Sequence, residues 1–124
     1  MNHQATFNGY VLSVLDTKKI CVRIDKDDIE RISDCLTFLC DKATAKDTVA
    51  VNVKDAKFAI SIPWNELTDL IGTHIKINCM FRKYKYYRKK NIYDENNERV
   101  ENRHVHIHCV GVTIIAKRIS NVLS

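Results

Sequence analysis

Glycine occurs three times and proline once in 124 residues, and no Gly-rich segment is found. A phosphate-cradling loop needs several glycines whose backbone N–H groups close on the anion, so nucleotide hydrolysis of the P-loop kind is excluded. Long low-complexity stretches and internal repeats are absent as well. No run of about eighteen apolar residues exists, so no helical membrane span is expected and no membrane partner is assigned. Met1-Asn2-His3-Gln4 is not the cationic start and apolar block of a secretory signal. The five cysteines are odd in number, and Cys21, Cys35, Cys79 and Cys109 fall in apolar or alternating runs. Reduced, structural thiols are therefore expected, not a disulfide framework, in an intracellular reducing compartment such as cytoplasm or nucleus.

With 45% hydrophobic and 28% charged residues, the composition is that of one globular domain spanning 1–124. Its charge is unevenly spread. Residues 1–80 hold 10 Lys and Arg against 11 Asp and Glu, whereas 81–124 hold 10 against 4. The excess is densest in Phe81-Arg82-Lys83-Tyr84-Lys85-Tyr86-Tyr87-Arg88-Lys89-Lys90, which has six cations, four aromatics and no acid. Cations neutralise phosphates and flat rings stack on unpaired bases, so this segment points to single-stranded nucleic acid. Edge protection of a sheet also uses lysine, but one or two suffice.

Periodicity supplies the elements. Ala5 to Leu15 is rich in β-branched and aromatic residues, Asp16-Thr17-Lys18 is a polar turn, and Ile20, Val22 and Ile24 alternate, which predicts a hairpin. Ile29, Ile32, Leu36 and Leu39 share one side of a predicted amphipathic helix over Asp27–Cys40, with Asp27, Asp28 and Glu30 in its first turn. Two short strands follow, through Val49, Val51, Val53 and through Phe58, Ile60, Ile62. Pro63 to Ile71, ending at Gly72, is predicted as a second helix of about two turns. Next, Ile75, Ile77, Cys79 and Phe81 alternate with Lys76, Asn78, Met80, Arg82, Tyr84 and Tyr86, so the cations and rings face away from the core. Residues 86–102 are expected to form a flexible basic and polar loop. A last strand from Arg103 to about Ile119 changes its inward phase, which predicts a bulge near Cys109 to Gly111.

The fold class is thus mostly β with one or two helices. Leu70-Ile71-Gly72-Thr73-His74-Ile75-Lys76-Ile77 followed by Val110-Gly111-Val112-Thr113-Ile114-Ile115-Ala116-Lys117-Arg118-Ile119 resembles the fourth and fifth strands of single-stranded-DNA-binding proteins of the oligonucleotide-binding (OB) superfamily. The resemblance lies in element order and hydrophobic pattern from Ala5 onward. It implies a five-stranded Greek-key barrel that binds through its second and third strands and through the loops after the first and fourth. The helix at 27–40 departs from that pattern as an insertion after the second strand. Position by position, the resemblance implies contacts from Lys18, Lys19, Arg23, Asn52 and the Arg82 to Lys90 stretch (Arg82, Lys83, Tyr84, Lys85, Tyr86, Tyr87, Arg88, Lys89, Lys90). Lys76, outward on the same strand, joins them. The expected ligand is single-stranded DNA or RNA, gripped with little sequence preference and without a cofactor.

Other constellations in the sequence point to different chemistry. Alternation puts His104, His106 and His108 on one strand face, a row able to hold zinc or copper if a fourth ligand came from elsewhere; a solvent-facing row that adds to the positive field is the simpler reading. Cys35 and Cys40 read as structural, and Trp64 as a core or plug residue. Staphylococcal-type nucleases share this barrel, and Asp25, Asp27, Asp28 and Glu30 cluster, yet no arginine-bearing loop accompanies them, so no catalytic residue is assigned. The competing function is an interaction subunit of a replication or transcription assembly, docking a protein partner or a second copy through the helix 27–40.

Overall fold

The structure, a computed structural model, describes residues 3–40, 43 and 46–123; within strands, 85–92 and 100–110 are described as backbone only. The elements run β1 (His3–Asp16), β2 (Lys19–Ile24), a 3-10 turn at Lys26–Asp28, α1 (Ile29–Leu39), β3 (Thr48–Asn52), β4 (Lys57–Ala59), a 3-10 turn at Leu67–Leu70, β5 (His74–Tyr93) and β6 (Arg99–Asn121). No described helix is long and apolar enough to cross a membrane.

β1 pairs antiparallel with β2 on one side and with β5 on the other, and β2 pairs antiparallel with β3. β5 and β6 form an antiparallel hairpin, and β6 returns beside β3 in parallel through Val51↔Ile114 and Asn52↔Ile115. Five strands therefore close into a ring in the order β1-β2-β3-β6-β5. β4 lies outside it, continuing along β6 past the end of β3.

The ring closes because each strand carries a two-residue hydrophobic period. Ile20, Val22 and Ile24 of β2, Ile75, Ile77, Cys79 and Phe81 of β5, and Phe7 and Val11 of β1 are all buried. Burying each large side chain contributes about 1.5–3 kcal/mol. At Gly9 the backbone of β2 comes so close that a β-carbon would collide with the Arg23 carbonyl and Val22. β6 supplies Ile114, Ala116 and Ile119, a spacing that breaks the period. Its cause is a bulge at Lys117, because Ala116 and Arg118 oppose the successive residues Cys79 and Asn78. A further register break sets Ile107 and Val110 opposite the successive residues Tyr86 and Lys85, at the edge of the region where the sequence predicts a bulge.

α1 forms where the sequence predicts, after its 3-10 lead-in, but its apolar stripe faces the core: Ile32 is 0% and Leu36 6% exposed. The helix covers the edge of β1 left open ahead of Gly9, where the Asp28 carboxylate accepts the Asn8 N–H at 2.8 Å and Arg31 donates to the Thr6 carbonyl. That stripe is therefore spent on the core, and docking through this helix would have to use its outward residues, among them Phe38.

Two other expectations are corrected. The predicted helix from Pro63 to Ile71 is only the single 3-10 turn at Leu67–Leu70. Asp69 turns its carboxylate back onto the Asn65 and Glu66 N–H groups, which also holds its pKa below the ordinary carboxylate range, and Trp64 packs against Phe58 at 4.8 Å between ring centroids. Leu70 of that turn is fully buried and Trp64 and Leu67 pack beside it at three-residue spacing, which a 3-10 turn satisfies, while Ile71 stays exposed. The expected loop at 86–102 is strand on both sides of a tight turn, because β5 runs to Tyr93 and β6 begins at Arg99.

Among the described cysteines, Cys21, Cys35 and Cys79 are free thiols. Burial pushes Cys79 up to about 12, with Cys35 adding to the shift, while its thiol donates weakly to the Ala5 carbonyl at 3.5 Å. Since the thiolate is the reactive form, Cys79 is expected to resist iodoacetamide at pH 8 in the folded protein and to react once urea unfolds it. Peptide mapping by mass spectrometry checks this, and rapid native labelling of Cys79 contradicts its burial.

Candidate nucleic-acid interface

The partnership of β1 with β5 ends at His3↔Phe81. Among the described residues, β5 from Arg82 onward pairs only with β6, so 82–93 and 99–113 form a two-stranded ribbon leaving the ring, about 40 Å long at the usual strand rise. Its tip is the turn after Tyr93. The Asp94 N–H donates to the Glu98 carbonyl at 2.9 Å, the Asp94 carboxylate accepts the N–H groups of Asn96 and Glu98, and Asn97 takes the left-handed conformation at φ 62°. Asn adopts that region at lower cost than most residues.

The basic and aromatic segment of the sequence thus lies along this ribbon. Arg82 and Lys83 are exposed at its base. Tyr84 faces Gly111 across the strands and lies so close over it that a β-carbon there would strike the ring. Gly111 is therefore what lets the ring cross the sheet, a cover of glycine by a cross-strand aromatic. Tyr84 is in part a structural side chain, half-buried, and not simply a free stacking surface. The side chains of Lys85, Tyr86, Tyr87, Arg88, Lys89 and Lys90 lie outside the described residues, as do those of His104, His106 and His108. Among the described residues no group of three or more His, Cys, Asp or Glu is placed to hold a metal.

The remaining predicted contacts fall in three places, one of them Lys76, exposed on the outer face of β5 opposite Asn8 of β1 and Ser120 of β6. Lys18 stands at the β1–β2 turn, where its N–H donates to the Asp16 carboxylate at 2.7 Å, and Lys19 is opposite Asn52 on β3. Asn52 is next to Ile115 and Ile115 next to Met80, so one cross-strand row leads from Lys19 to the strand position two residues before Arg82. The Asn52 side-chain oxygen is already used by the Lys54 N–H at 2.9 Å. Lys18, Lys19 and Arg82 are exposed at and beyond the two ends of this row.

Arg23 belongs to a different cluster. Its guanidinium lies over the Tyr10 ring, 5.6 Å from the centroid, and Tyr10 stacks on His74 at 4.2 Å with the planes 6° apart. The His74 Nε2 meets the Asp25 carboxylate at 2.7 Å. These groups border an open depression of about 470 Å³ that Lys26 and Asp47 also line. Tyr10 and His74 were not singled out from the sequence. Alternation puts both outward, but only the register Tyr10↔His74 makes them a stack. Of the four clustered acids, Asp25 is engaged by His74 and Asp28 by the Asn8 N–H and by Arg31 at 3.0 Å.

Comparison with protein-family models, curated proteins and solved structures finds no match to this chain.

Proposed function

We propose that the protein binds single-stranded nucleic acid on an OB-type barrel, with weak sequence preference. The ring order supports this reading: β1, β2, β3, β5 and β6 stand in the order of the five strands of such a barrel, with the third and last strands adjacent and β4 added outside. The observation that carries it is the ribbon. The chain's densest run of cations and rings lies on the β5–β6 hairpin, and that hairpin leaves the ring next to the row from Lys19 to Met80. Phosphates are held by Arg82, Lys83, Lys85, Arg88, Lys89 and Lys90 on the ribbon and by Lys18 and Lys19 at the turn. Bases stack on aromatic rings, at about 1–3 kcal/mol for each base. Tyr86 and Tyr87 are the ribbon's candidates, and the Arg23 guanidinium, backed by the Tyr10 ring, offers a second plane on the barrel.

The test is a titration of a fluorescein-labelled thirty-nucleotide oligo(dT) by anisotropy, from 50 mM to 500 mM salt. A straight line of log affinity against log salt is expected, with a slope near −4 or steeper, since each of six or more neutralised phosphates contributes about −0.7. Duplex of the same length should bind more weakly, because its bases are not available to the rings. Absence of binding at 50 mM, or binding indifferent to salt, overturns the reading. An oligo(U) arm of the same titration separates RNA from DNA.

A further inference from the structure

The ribbon is not the chain's only acid-free surface. β5 contains no Asp or Glu in its twenty residues, and neither does β1 over 3–15 nor β6 over 102–121. The topology sets these three strands side by side, in the order β1-β5-β6, with β4 beyond. On their outer face the register stacks two rows. Asn8, Lys76, Ser120 and Ala59 form one, and Thr6, Asn78, Arg118 and Lys57 form the other. Lys76 and Arg118 are diagonal neighbours across the β5–β6 pair, which places their β-carbons about 7–8 Å apart. Lys57 flanks Arg118 on the other side.

Thr6, Lys76, Asn78, Arg118 and Ser120 line a depression of about 220 Å³. Its walls hold two cations, two hydroxyls and an amide, and no carboxylate. Among the described residues, the ion pairs are Arg31 with Asp28 and His74 with Asp25, so no described carboxylate lies within ion-pair distance of Lys57, Lys76 or Arg118. Three like charges gathered over neutral hydrogen-bond donors repel one another, and an anion bound there would relieve that repulsion. The outward residues of β5 continue the surface in both directions, at about 6.8 Å per step. Toward the ribbon come Met80 and Arg82. Toward the other end comes His74, stacked on Tyr10.

We infer that this face is a second phosphate track, in which Lys57, Lys76 and Arg118 hold the backbone of the same single strand as it passes from the ribbon along the outside of β5. The inference rests on the proposed function and adds a path to it, since the resemblance to OB proteins implies contacts only around β2, β3 and the two loops.

The experiment compares the full-length protein with K57A/K76A/R118A, using the labelled thirty-nucleotide oligo(dT) across the same salt range. Loss of three phosphate contacts should reduce the slope by about two units and weaken binding near 0.1 M salt roughly 100-fold. K57R/K76R/R118K, which keeps every charge, should retain the wild-type slope. Matching far-UV circular dichroism shows that the variants fold alike, as expected for three exposed side chains. If the wild-type protein binds with its steep slope and the alanine variant matches it, the track is refuted while the proposed function stands. If the wild-type protein does not bind at all, both fall together.

Discussion

Replacing Arg82, Lys83, Lys85, Arg88, Lys89 and Lys90 together by Gln is expected to flatten the salt dependence of oligo(dT) binding by about four units, at about 0.7 for each lost contact. Near 0.1 M salt that corresponds to a loss of roughly three to four decades in affinity. The thermal midpoint should stay close to that of the wild type, because Arg82 and Lys83 are exposed and the whole set lies on β5 beyond its last pairing with β1. The pairing of slope with stability is the point of the measurement. A protein that only used lysine to guard a sheet edge would keep whatever weak oligonucleotide affinity it had after the change. Retained affinity with an unaltered slope in the six-Gln variant would remove the ribbon from the interface.

Ile32→Ala should cost about 2–5 kcal/mol, measured by urea denaturation. Ile32 is completely buried where α1 closes over the open edge of β1, at the centre of the stripe Ile29, Ile32, Leu36 and Leu39, so its removal leaves a cavity beneath the helix. Phe38, one and a half turns farther on, is 78% exposed and touches the ring of His3 at 5.5 Å between centroids. Phe38→Ala should change stability by no more than about 0.5 kcal/mol, as surface substitutions usually do. A helix kept mainly to receive a partner would give the opposite ranking, with Ile32→Ala harmless to the isolated protein.

Much of the ring could be read from residues alone. The alternation of Ile20, Val22 and Ile24, and that of Ile75, Ile77, Cys79 and Phe81, gives both the strand and its inward side, since one face is packed and the other wet. The stripe Ile29, Ile32, Leu36 and Leu39 gives α1 in the same way. The ribbon could not be read so. The turn formers Asn91, Asp94, Asn96 and Asn97 are spread over more positions than the turn uses, so they look like a long loop when only 94–98 turns. The Pro63 to Ile71 segment misleads for a different reason. Trp64, Leu67 and Leu70 do pack on the core, but at the three-residue spacing that a single 3-10 turn serves, while Ile71, which the helical reading puts on the same side, is exposed.

For the candidate site, the sequence supplied the types of residue and the fold supplied their neighbours. Arg23 was selected from the sequence, yet its companions Tyr10 and His74 are 13 and 51 positions away and meet it only through the pairing of β1 with two strands at once. Lys57, Lys76 and Arg118 are likewise 19 and 42 positions apart along the chain, and no local pattern connects them. Register between distant strands is a property of the closed ring, which short-range periodicity does not encode.

Ring closure by β6 also bears on how the chain is made. The last strand pairs with β3, β4 and β5, and without it β3 and β5 are left unjoined. Nothing earlier in the polypeptide can substitute for those pairings, so the native sheet can be completed only when residues up to about 121 are free of the ribosome. With so many partners distant in sequence, folding should be slow for the chain's size, and the nascent β1–β2–β3 sheet has exposed apolar edges in the meantime, a period in which association with a chaperone would matter most.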